Sequence, residues 1–172
     1  MSMTRSGAFA GVAMATFAVM VAGMGLAACR PAPASQPLPF NHKKHIDKNI
    51  ECIFCHEKAA KGSMATLPDI SVCMSCHSNP QGTSPVEQQV RDVAAAGQEF
   101  PWVQVNRLPG HVYFSHRAHV KWGQLDCSTC HGNMKDQVEP VTESQIGGLT
   151  MTKCISCHKE RSARTDCLTC HK

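Results

Sequence analysis

FNHKKHIDKNIECIFCHEK, residues 40–58, places three histidines and two cysteines between His42 and His56. Nine residues separate His42 from the CIFCH that follows. The arrangement returns at residues 114–131 as FSHRAHVKWGQLDCSTCH. Imidazoles and thiols recurring in one order need a common cause.

That cause is visible along the rest of the chain. Ten of the eleven cysteines form Cys-x-x-Cys pairs: Cys52/Cys55, Cys73/Cys76, Cys127/Cys130, Cys154/Cys157 and Cys167/Cys170. Each pair is followed at once by a histidine, namely His56, His77, His131, His158 and His171. Cys-x-x-Cys-His is the attachment signature of c-type haem: two thiols add across the porphyrin vinyl groups, and the adjacent imidazole reaches the iron. Zinc ribbons pair Cys-x-x-Cys units into four-ligand sites, which leaves one unit unmatched and gives the histidines no role. A disulfide framework expects no adjacent histidine, and a thioredoxin-like site needs one such pair on an α/β fold. The sequence therefore predicts five covalent haems c. The eleventh cysteine, Cys29, is left for another purpose.

Five histidines remain: His42, His45, His111, His116 and His119. Five irons with one proximal imidazole each have five sixth positions, so the expectation is bis-histidine ligation throughout. For His111 the rival ligands are Met64, Met74, Met134 and Met151, the last only three residues before Cys154. His42 and His45 cannot both complete one iron, because a proximal histidine already holds the opposite face. Side chains three apart on a helical turn are neighbours, so the pair joins two haems with irons on the order of 10 Å apart. His116 and His119 form the second such staple. The first half then has two distal histidines for two haems, and the second has three for three.

Only seven aromatic residues lie beyond residue 39, a thin supply for a conventional core. The expected fold is mostly loops and short helices wrapped around a haem cluster, with little or no sheet. The domain spans 40–172, with a pseudo-repeat at 40–77 and 114–158 and an extra haem site at 167–171. Between the halves, SPVEQQVRDVAAAGQ predicts a helix: Ser84 as N-cap, Pro85 at its first position, Glu87 as capping-box partner and Gly97 as stop. Val86, Val90 and Val93 make its apolar stripe. WVQVNRLP is expected to be extended. Phe100, Trp102 and Leu108 exceed what wrapping haem requires, so this connector is expected to dock on a partner subunit or, failing that, to cover porphyrin faces.

Residues 6–28 carry no charge and end in LAAC, Leu26–Cys29. Residues 1–28 read as a lipoprotein-type signal cleaved before a lipidated Cys29, or as an uncleaved membrane anchor. Either exports the chain to the bacterial cell envelope and tethers it on the periplasmic side of the membrane. Residues 29–39 contain four prolines and read as an extended tether.

FNHKKH followed by Cys-x-x-Cys-His resembles class III multihaem cytochromes c. That resemblance implies that His42 serves the Cys52/Cys55 haem and His116 the Cys127/Cys130 haem, with His45 and His119 serving others. Over residues 38–172 the order LPFNHKKH, two haem sites, a helix, PWVQVNRLPGHVYFSHRAHV and three haem sites is similar to the pentahaem subunit of alternative complex III and of related membrane quinone reductase complexes. It implies an electron-transfer subunit, not catalytic by itself, partnered by iron–sulfur and polytopic membrane subunits. A stand-alone membrane-tethered periplasmic shuttle is the alternative. A haem enzyme would need an open iron position, and no site obviously lacks a ligand.

The formal charge of +4 implies nothing about nucleic acid. Loss of Arg5 with the leader leaves +3. Five ferric haems with ionised propionates bring this to about −2, and full reduction to about −7.

Overall fold

The computed structural model describes residues 32–172. Residues 33–172 form one compact unit. The readings of residues 1–31, including a lipidated Cys29, lie outside the described residues.

Helices in this unit are short, and most are built around the Cys-x-x-Cys-His motifs. The element order is α1 (His42–Ile46), α2 (Cys52–Cys55), α3 (Ile70–His77), α4 (Val86–Ala95), a π-helical turn (Ala118–Trp122), α5 (Ser128–His131), α6 (Met151–Glu160) and α7 (Cys167–Cys170). Two 3-10 turns, Glu57–Ala59 and Met134–Asp136, lie between them. Cysteines three apart on a helical turn share one face, so each motif presents both thiols together. Among the described residues there is no strand. One antiparallel bridge joins Val112 to His171, flanked by Tyr113 N–H to the Cys170 carbonyl at 2.8 Å and Lys172 N–H to the His111 carbonyl at 3.1 Å.

Apolar burial is minimal. Among the described residues only Leu38 and Val90 are fully buried apolar side chains, at 5% and 6% exposure. Ile53, Phe54 and Leu168, inside the haem motifs, are exposed. A unit of this size cannot be held by two buried side chains. Its apolar surface is arranged for a non-protein core.

Helix α4 forms where its pattern predicts and packs on α3 through Val90. Gly97 stops it at φ 63°, a left-handed backbone suited to glycine. Its N-terminus differs from expectation. No side chain caps it, and Pro85 takes the capping position. Glu87 instead accepts the Gln81 N–H at 2.7 Å, so the capping box does not form.

The proline-rich segment also differs in its second half. The Ala34 N–H donates to the Thr142 carbonyl at 2.9 Å. The Gln36 amide donates to the carbonyls of Val103 and Val141 and accepts from Val103 N–H. Leu38 is buried beside these contacts. Prolines keep this stretch extended, and its unpaired backbone and one amide side chain fasten it to the body.

Candidate haem sites

The two Phe-x-His-x-x-His segments adopt one local geometry. Asn41 caps α1, its Oδ1 accepting Lys44 N–H at 2.9 Å, and sets His42 and His45 one turn apart. Phe40 stacks on His45, with ring centroids 4.6 Å apart and planes at 20°, and meets His42 edge-on at 4.8 Å and 85°. Phe114 repeats this, stacking on His119 at 4.6 Å and 22° and meeting His116 edge-on at 4.8 Å and 90°. One aromatic ring thus holds each imidazole pair at a fixed angle. Sequence reasoning gave these phenylalanines no role. The signal was there, since each lies two residues before the first histidine in both copies.

Each staple histidine faces a histidine of a Cys-x-x-Cys-His motif. His116 lies opposite His131 with centroids 6.3 Å apart and planes at 5°. His119 lies opposite His158 at 6.0 Å, and His45 opposite His77 at 6.1 Å and 62°. His111 lies opposite His171 at 5.6 Å, held there by the bridge beside it. His42 lies near His56: burial first, then the neighbouring His56 and His45, together lower the His42 imidazole to about 4. Two imidazoles bound to one metal from opposite sides have ring centres about 6 Å apart, given metal–nitrogen bonds of roughly 2 Å. The observed separations fit a haem iron between the rings. Met64 and Met151, two of the rival ligands, are exposed.

Hydrogen bonds fix the tautomers. Nδ1–H donates to a backbone carbonyl in His45 (Asn41, 2.9 Å), His56 (Thr66, 2.9 Å), His116 (Ser63, 2.9 Å), His119 (Ser115, 2.8 Å) and His158 (Arg164, 2.6 Å). A histidine whose Nδ1 carries the proton presents the Nε2 lone pair, as ligating histidines do. The side-chain amide of Asn106 lies 3.3 Å from His131 Nδ1. Burial, with His116 and His56 nearby, lowers the His131 imidazole. The buried Nδ1 atoms of His42 and His77 have no hydrogen-bond partner. The Ser63 and Thr66 carbonyls come from one loop and serve histidines of both halves. No side-chain pattern announces a backbone carbonyl, so sequence reasoning could not find them.

All ten motif cysteines are free thiols here, in no disulfide. Burial pushes several of them up, and neighbouring thiols add to the shift. Cys55 is raised further by Cys52 and Cys76, and Cys73 by Cys55. Cys127 is raised by Cys52, Cys130 by Cys157 and Cys154, and Cys154 by Cys170. Each motif therefore has another motif's thiol beside it. A cleft of about 570 Å³ lined by Asn49, Ile50, Glu51, Ile53, Phe54 and Cys76 separates the first two motifs. Its apolar wall suits a porphyrin plane.

The connector packs in part on the first staple. Trp102 is half-buried and packs edge-on against Phe40 at 6.2 Å and against Phe100 at 5.5 Å. Since Phe40 stacks on His45, Trp102 buttresses the first staple from behind. This internal packing gives Trp102 a role within the chain.

Two cytochrome families match the chain. Residues 22–100 match the class III cytochrome c family, and residues 112–172 match cytochrome c7 and related cytochrome c. The multiheme cytochrome c subunit of menaquinone reductase from Nitratidesulfovibrio vulgaris (strain Hildenborough) is 31% identical over 161 residues, covering 80% of this chain and 77% of that protein.

Proposed function

The chain belongs to the family of multihaem cytochrome c subunits of menaquinone reductase, and on that footing we propose that it is a pentahaem electron carrier within a membrane quinol or quinone oxidoreductase complex. Haem c supplies one-electron chemistry when bound. The five motifs hold one haem each through their cysteines. His56, His77, His131, His158 and His171 would hold the irons, paired with His42, His45, His116, His119 and His111 respectively.

The opposed imidazoles carry this reading, because packing alone gives no reason for four of the five spare histidines to meet a motif histidine near 6 Å. The thiol neighbours support a row of sites in the order Cys73/Cys76, Cys52/Cys55, Cys127/Cys130, Cys154/Cys157, Cys167/Cys170. The two staples link the first pair and the third and fourth members of that row. The Ser63–Thr66 loop joins the halves at its centre. Electrons enter and leave at the two ends.

The complex lies at the periplasmic side of the membrane, with the chain anchored through lipid on Cys29 or through an uncleaved leader. Among the described residues no helix is long and apolar enough to cross a membrane. Gentle solubilisation of native membranes, followed by mass spectrometry of co-migrating proteins, tests membership. Iron–sulfur and polytopic membrane subunits should travel with the cytochrome. Recovery of a lone monomer would replace this reading with a tethered shuttle.

A further inference from the structure

His77 stands in different surroundings from the histidines whose Nδ1 meets a backbone carbonyl. Its Nδ1 has no hydrogen-bond partner and faces Glu87 Oε2 at 3.7 Å. Both side chains are largely covered, at 20% and 15% exposure. Glu87 is held in place: Oε2 accepts the Gln81 N–H at 2.7 Å, and the Gly82 N–H also donates to the carboxylate. A Cβ on Gly82 would come within 3.2 Å of Oε1, so the backbone there closes tightly around the group. The carboxylate that should have capped α4 has been turned toward a haem motif.

We propose that Glu87 is a positioning residue for His77, whose fixed negative charge beside Nδ1 lowers the midpoint potential of the haem at Cys73/Cys76. The physics is electrostatic: a nearby negative charge favours the ferric over the ferrous iron. The electron count is simple, since one electron is taken up or released by one iron and only the equilibrium moves. The inference rests on the reading of His45 and His77 as ligands of that haem. If that haem ends the row, Glu87 sets a low potential at one terminus.

The test uses the full haem-loaded protein. His45→Met first identifies the haem, because it should replace one bis-histidine ferric signal and leave four unchanged. Potentiometric titration of Glu87→Gln, which keeps the size and removes the charge, should then raise the midpoint of that same haem. The expected shift is about tenfold in its reduction equilibrium, or about 59 mV for one electron. If Glu87→Gln loses haem, Glu87→Asp, which retains the charge but draws it back, should raise the same midpoint by less. An unmoved midpoint in the haem that His45→Met identifies, or an equal shift of all five, overturns the inference and leaves the ligand reading standing. No spectral change in His45→Met overturns the ligand reading instead.

Discussion

His116 and His131 face each other with ring planes only 5° apart, while His45 and His77 meet at 62°. Axial imidazole planes determine how far the two π-type d orbitals of a ferric iron are split. Parallel planes split them strongly, and crossed planes leave them nearly degenerate. Low-temperature electron paramagnetic resonance of the oxidised protein should therefore resolve at least two classes of low-spin ferric haem. The haem expected at Cys127/Cys130 should fall in the rhombic class and the one expected at Cys73/Cys76 in the class with the largest g value. A single uniform class would show that haem insertion rotates the rings away from these angles.

The scarcity of buried side chains leads to a prediction about cofactor removal. With only Leu38 and Val90 fully buried among the described residues, folding depends on porphyrin surface. The chain made without haem attachment should show little helical circular dichroism and no cooperative melting. Intact mass of the mature protein from a competent host should show five haem additions. Four or fewer would mean that one motif is not a haem site.

Trp102 tests the connector. Its replacement by alanine should cost about 1–3 kcal/mol, below the range for a fully buried tryptophan because the ring is half-exposed. The loss should disturb Phe40 and with it the Cys52/Cys55 and Cys73/Cys76 haems, leaving the other three spectra unchanged. Phe114→Leu should disturb the Cys127/Cys130 and Cys154/Cys157 haems instead. Thermal melting read at the haem bands distinguishes the two halves.

Thr66 holds His56 through its carbonyl while its own backbone sits at φ 59°, a conformation that costs a β-branched residue of order 1–3 kcal/mol. Glycine accepts this angle freely. Thr66→Gly should therefore preserve the haem spectrum and leave stability equal or slightly higher. Proline, fixed near φ −65°, should turn the carbonyl away and change the spectrum of one haem. Equal spectra for both variants would show that the carbonyl does not orient His56.

His111→Met should alter one haem only, the one attached at Cys167/Cys170. The backbone bridge from Val112 to His171 holds the new side chain over the same site, and a methionine ligand raises the potential. Redox titration should show one midpoint moving up while four stay in place. If no midpoint moves, His111 is not a ligand.

Much of this site was legible in the linear chain because covalent haem attachment is local chemistry. Two thiols and an imidazole must sit on one helical turn, so five Cys-x-x-Cys-His motifs announce themselves. Four of the five spare histidines stand out for the same reason, as i, i+3 pairs on a turn, and His111 does not. The α4 stripe and its Gly97 stop follow from period and backbone conformation alone. What the sequence could not express is contact between distant backbone atoms. The Ser63 and Thr66 carbonyls that set two imidazole tautomers, and the Gln36 amide fastened to Val103 and Val141, depend on chain segments brought together by folding. Glu87 shows the division most clearly. Its spacing from Ser84 satisfied the capping rule, yet the loop at Gln81 and Gly82 offered two backbone donors, and folding placed His77 beside them. Local pattern selects which groups are available to bond, and tertiary packing decides which of them meet.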